Sequence, residues 1–118
     1  MPSKYDIQFF KTPNGRAPVL EYLNLLLNSK NPSDRALAED ILTFLTLLSD
    51  RGTTLGMPYS KHLRGSLWEL RPKNNRIIYC CIQGNKIYLL HNFKKQSQKT
   101  PLKEIKLAMS RYKELTSH

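Results

Sequence analysis

The sequence is short of most features that would commit a small protein to an obvious chemistry. Among its 118 residues there are two cysteines, and they are neighbours, Cys80 and Cys81. Consecutive strand residues point to opposite faces, so this pair cannot staple distant segments, and it is too small a set for a cysteine-based metal site. Both read as small apolar strand residues. The three histidines, His62, His91 and the terminal His118, have no metal-ligand spacing, and neither a glycine-rich phosphate loop nor a Ser-His-Asp set can be assembled. No cofactor or metal is therefore expected. Long apolar runs are missing too: Val19 to Leu27 is broken by Glu21 and Asn24 and falls far short of a membrane span. The opening "MPSKYDIQFF" has no apolar stretch followed by a small-residue cleavage site, which points to a cytoplasmic protein without a membrane partner. Repeats, low-complexity segments and linkers are lacking, and the length suits a single domain over residues 1–118.

Acidic residues are scarce in one half only. Residues 1–60 hold six Lys/Arg and six Asp/Glu, whereas residues 61–118 hold thirteen Lys/Arg against Glu69, Glu104 and Glu114. The whole net charge of +10 thus belongs to the second half. Charge concentrated in this way repels itself and is usually matched by an anionic partner, nucleic acid being the commonest, although a solubility surface would carry charge as well.

The pattern along the chain predicts its elements. Lys4 to Phe10 alternates as a short strand and meets the turn signal "TPNGR". Val19, Leu20, Leu23, Leu26 and Leu27 then recur at helical spacing, with Pro18 in the first turn. A second helix follows Asn31 as cap and Pro32 as first residue, carries Leu37, Ile41, Phe44, Leu45 and Leu48 on one face, and stops at Gly52. Residues 53–65 read as an irregular link. "SLWELRP", "RIIYCCIQ" and "KIYLLHNF" form three strands of an antiparallel meander, the last two joined at Gly84 and Asn85. Thr100 as cap and Pro101 open a last helix with Leu102, Ile105, Ala108 or Met109, Tyr112 and Leu115 along one face. The expectation is an α+β domain of order β-α-α-β-β-β-α, a small antiparallel sheet covered on one face by the N-terminal helical hairpin and open on the other, where the charge would sit.

Candidate functional residues gather in the basic half. Alternation sends Glu69 and Arg71 to one face, and the short turn to Arg76 brings two guanidiniums onto adjoining strands within reach of one phosphodiester, whose oxygens an arginine fork matches. The plainer alternatives are an ion pair of Arg71 with Glu69 and an ordinary exposed Arg76. Lys94, Lys95 and Lys99 run out of the last strand into a loop with Gln96, Ser97 and Gln98, just before a helix start whose free N–H groups add to the same positive field. Together they predict one anion pocket. His91 and His62 are candidates for proton transfer or for structural roles, and Tyr79 and Tyr88 for base stacking or core packing.

Two segments, "KHLRGSLWELRPKNNRIIYC" and "IYLLHNFKKQSQKTPLKEIKLAMSRYKEL", carry a resemblance. The L-x-G-x-L-x-E-L-R run, the R-I-x-Y strand and the F-K-K-x-x-x-x-x-P stretch before the last helix resemble HigB-type toxins of the RelE/ParE toxin-antitoxin superfamily over residues 61–114. That resemblance implies a RelE-like fold and a metal-independent, ribosome-dependent mRNA endonuclease, in which a 2′-hydroxyl attacks the adjacent phosphate and cations stabilise the charge that develops. By position, it implies catalytic roles for Arg71, Arg76 and Lys94 or Lys95. Glu69, standing where some relatives have lysine, would orient Arg71 or act as base, and His91 is a candidate for moving protons. His62, Arg64, Lys73 and Lys99 would hold RNA. Implied partners are the ribosome with its messenger and a HigA-type helix-turn-helix antitoxin, through which alone the toxin would meet operon DNA. Two rivals are a ParE-like gyrase inhibitor and a basic nucleic-acid-binding module without catalysis.

Overall fold

A computed structural model describes residues 4–117; His118 lies outside them. The chain runs through β1 (Asp6–Phe9), α1 (Pro18–Leu27), α2 (Pro32–Arg51), a 3-10 turn (Gly52–Thr54), β2 (Ser60–Arg64), β3 (Leu67–Leu70), β4 (Asn75–Ile82), β5 (Lys86–Lys94) and α3 (Leu102–Thr116). It is a small α+β fold of five strands and three helices. No helix among the described residues is long and apolar enough to cross a membrane.

The sheet has the order β1-β5-β4-β3-β2. It is mixed, a correction to the antiparallel expectation: β1 pairs parallel with β5, Ile7 opposite Ile87 and Phe9 opposite Leu89, while every other neighbour is antiparallel. It also has one strand more than the pattern predicts. The supposed link contains β2, whose Lys61, His62 and Arg64 are exposed because this strand is an edge and has little core to cover.

Helix boundaries follow local chemistry. Asn31 caps α2 by accepting a hydrogen bond from the Ser33 amide at 2.9 Å, Pro32 occupies the first position, and Gly52 ends the helix at φ +56°. The helical pair α1 and α2 buries Val19, Leu23, Leu26, Ile41, Leu45 and Leu48 against Leu70, Ile77, Tyr79, Ile87 and Leu89. The second face is not open as expected. Helix α3 lies on it, Ala108 buried and Ile105, Met109, Tyr112 and Leu115 packed on Leu67, Ile78, Cys80 and Leu90. Its stripe is apolar enough to need a surface, and the hairpin has already taken the other one. Cys80 and Cys81 face opposite sides, and both are free.

One irregularity re-aims the end of β5. Ile78 pairs with His91 but Tyr79 pairs with Leu89, so Leu90 is an extra residue, a β-bulge. Leu90 and His91 therefore both turn toward α3, and from there on alternation runs one residue out of step with the first half of the strand. Arg111 of α3 donates to the Leu90 carbonyl at 2.8 Å, satisfying a group at the bulge.

Two left-handed glycines separate crowding from backbone strain. A side-chain carbon on Gly52 would run into the Tyr5 ring, whereas one on Gly65, at φ +53°, would meet open space. Urea denaturation should find Gly52→Ala less stable by about 2–4 kcal/mol and Gly65→Ala by only about 1–2 kcal/mol.

Candidate functional site

The site is built on the end of the second sheet face that α3 leaves uncovered. Glu69 in the middle of β3, Arg71 just after it and Arg76 early in β4 all point there, as alternation requires. Glu69 is 3% exposed. Its Oε2 lies 3.8 Å from Arg71 Nε and 3.9 Å from Arg76 Nε, and its Oε1 accepts a 2.6 Å hydrogen bond from the Thr100 hydroxyl. One buried carboxylate thus gathers two guanidiniums and the residue that leads into α3.

Arg76 is anchored a second time. Its Nη1 donates to the carbonyls of Lys73 at 3.0 Å and Asn75 at 2.7 Å, fixing the β3–β4 turn in which Lys73 has φ +49°. Its Nη2 has no hydrogen-bond partner among the described residues. Burial lowers its affinity for a proton, the neighbouring Arg71 charge pushes the same way, and Glu69 opposes them; an arginine still stays charged under these terms. Of the two plainer alternatives, the first holds and the second does not. Arg71 is an ion-pair partner of Glu69, and so is Arg76, which is buried rather than an ordinary exposed arginine.

Glu69, Arg76, Phe93 and the 95–101 loop line a shallow hollow. Lys95 and Lys99 belong to it and Lys94 does not, which corrects the expectation of one pocket holding all three. The bulge at Leu90 is the reason: it turns Phe93 toward Arg76, sends Lys95 the same way, and leaves Lys94 opposite Asn75 on the hairpin side, in a separate cleft with Lys73. Arg64 stands beside the hollow, in a groove it shares with Lys99, Thr100 and Leu102.

Thr100 corrects a further expectation. Helix α3 begins at Leu102 with Pro101 in the cap position and no side-chain cap, because the Thr100 hydroxyl is spent on Glu69. Neither Thr100 as a partner of Glu69 nor Phe93 as a wall of the hollow was singled out by pattern. A threonine before proline reads as a cap, and Phe93 reads as one more strand aromatic.

The histidines separate. His62 is exposed at the sheet edge, its Nε2 2.8 Å from the Gly65 carbonyl and its ring 4.7 Å from that of Trp68, so it supports the β2–β3 turn. His91, its side chain 13% exposed, stacks on Phe93 and meets Glu104 of α3 through Nε2 at 2.7 Å. It sits behind the wall of the hollow. Tyr79 is wholly buried, its hydroxyl hydrogen-bonded to Ser60 and pushed up to about 12 by burial, so it belongs to the core and cannot stack on a base; Tyr88 is half-buried against the α3 side.

Burial holds His91 below its ordinary value of 6.5, against the Glu104 hydrogen bond that raises it and together with the Arg111 charge. The unfolded chain then takes up the proton first as pH falls. Stability should therefore be complete above pH 6.5 and be lost as pH falls below it, through the lowered folded value. Denaturation curves between pH 7.5 and 5 should show this loss, and His91→Gln should flatten it.

Residues 31–113 match the family of phage-derived Gp49-like proteins (DUF891). The match runs from the cap of α2 into the last turn of α3 and includes every residue of the hollow. No curated protein matches the chain.

Proposed function

The chain belongs to the Gp49-like family of phage-derived proteins, a toxin-like family of RelE/HigB type associated with antitoxins, and we propose that it is a toxin that cuts messenger RNA on the ribosome. The observation that carries this reading is Arg76, held with Arg71 about Glu69 and lining, with that carboxylate, a hollow rimmed by Lys95 and Lys99. Three cations line the hollow against one carboxylate, with Arg71 on the same carboxylate nearby, and leave it positive, which suits a phosphodiester in the ground state and suits still better the extra charge of its transition state.

In the proposed reaction the RNA 2′-hydroxyl gives up its proton, its oxygen bonds to the neighbouring phosphorus, the bond from phosphorus to the 5′-oxygen breaks, and that oxygen takes a proton. The products are a cyclic phosphate and a free 5′-hydroxyl. Arg76 offers Nη2 to a phosphate oxygen, and Lys95 and Lys99 hold the flanking backbone. Glu69 has Oε1 on Thr100 and Oε2 facing two arginines, so it serves better as the group that positions them than as a base. His91 acts at one remove, setting Phe93, whose ring is available to a base. Arg64 extends the positive rim, and His62 shapes the edge turn. An antitoxin of HigA type, with its helix-turn-helix domain on operon DNA, is the partner this reading supplies.

Brief induction followed by mapping of messenger 5′ ends tests it. Cuts at regular codon positions in translated messages are expected, and Arg76→Ala should abolish them, lowering cleavage by about 100-fold or more. Arg76→Lys, which keeps the charge but loses the fork, should recover part of the activity. DNA damage with intact messenger would instead assign a gyrase poison. Intact messenger and intact DNA with retained RNA binding would leave a non-catalytic module.

A further inference from the structure

The cleft on the hairpin side of the same strand end is not used by the reaction above. Tyr22, Leu26 and Leu37 of α1 and α2 form its floor, and Lys73, Asn74 and Lys94 form its rim. Tyr22 donates its hydroxyl hydrogen to Asn75 Oδ1 at 2.8 Å, which holds the ring against the turn. One acid, Asp34, also borders the cleft, and it accepts a hydrogen bond from the Ser29 hydroxyl at 2.7 Å. Two lysines outnumber it.

Cleft and hollow are two sides of one short piece of chain. Lys94 and Lys95 are consecutive and turn to opposite faces, and the Lys95 amide donates to the Asn74 carbonyl at 2.7 Å. Arg76, in the hollow, grips the carbonyl of Lys73, whose side chain lines the cleft. A ligand that satisfies both must carry regularly spaced negative charges and bend sharply around the end of the sheet. A stiff duplex cannot do this over so short a distance, and a single strand can. The apolar and aromatic floor between the lysines offers a place for a base, which a run of bare phosphates would not use.

We propose that this cleft is a second nucleic-acid subsite, taking a nucleotide that flanks the one in the hollow, so that one single strand crosses from one face of the sheet to the other over Lys94 and Lys95. Lys73 and Lys94 bind its backbone, and the Tyr22, Leu26 and Leu37 floor receives its base. The proposal rests on the RNA reading above for the identity of the ligand, but not on cleavage.

The test uses fluorescein-labelled 2′-O-methyl oligoribonucleotides, which cannot be cut, in two lengths, a dinucleotide and a hexanucleotide. Lys73→Asn, suited to the left-handed backbone there, is combined with Lys94→Gln; both positions are exposed, so folding is spared. Anisotropy titrations should show hexanucleotide affinity reduced about tenfold, with a salt slope shallower by about 0.7 for each lysine removed, while dinucleotide affinity is unchanged. Equal binding of both lengths by variant and parent would overturn the proposal, even if the same variant had lost affinity for an acidic antitoxin peptide. The two readings fail separately: length-dependent binding in a protein that leaves messenger intact keeps this subsite and removes the endonuclease, whereas regular cuts with no effect of the double variant do the reverse.

Discussion

The buried Glu69 carboxylate is the constraint on which the rest of the basic half depends. Removing an ion from water costs several kcal/mol even after relaxation, and a group of one acid and two bases does not recover that by attraction alone. Such a cluster is weak as a source of stability. Its effect is positional: without Glu69, Arg71 and Arg76 would repel each other across adjoining strands, and Thr100 would be free to cap α3. With it, two guanidiniums meet one carboxylate at the surface end of a core, and the loop of residues 95–101 is tied to that carboxylate through Thr100, beside Arg76. The arrangement spends stability on geometry, as functional sites commonly do.

Helix α3 decides where that geometry can be used. Its apolar stripe covers the second face of the sheet from Phe10 and Leu67 across to Leu90, so the charged residues reach solvent only beyond its first turn. A face left wholly open would have spread the cations over a flat surface. A face covered to one end concentrates them in a hollow where water is partly excluded and each charge acts more strongly. The same helix returns Glu104 to His91 and Arg111 to the bulge, so the end of β5 is held from outside the sheet as well as within it.

Much of this was legible in the sequence, and the parts that were not share a cause. The capping of α2 by Asn31, its stop at Gly52, the alternation of Glu69 with Trp68 and Leu70, and the opposite facing of Cys80 and Cys81 all depend on residues a few positions apart, and pattern reading finds them. The parallel pairing of β1 with β5 joins the two ends of the chain and leaves no local mark. Strand β2 was hidden because an edge strand with one buried residue, Ser60, lacks the apolar alternation of its neighbours. Arg71 and Arg76 both reach Glu69 because only a short turn separates them. Lys94 was misassigned because a single inserted residue, Leu90, inverts every side chain after it, and nothing in "LLHNFKK" marks which leucine is extra.

That inversion also bears on the charge asymmetry of the chain. The neutral first half supplies the helical pair and buries one face of the sheet; the second half supplies four of the five strands and α3, and with them the entire excess of +10. Had β5 run without a bulge, Phe93 and Lys95 would have turned toward the hairpin and Lys94 toward Arg76, leaving the hollow without its aromatic wall. The bulge instead divides two consecutive lysines between two faces while keeping them on one continuous strand end. Self-repulsion along the basic half is thereby relieved, since neighbouring charges point apart. A flexible polyanion gains from the same division, because it can meet each lysine in turn without any of them having to move.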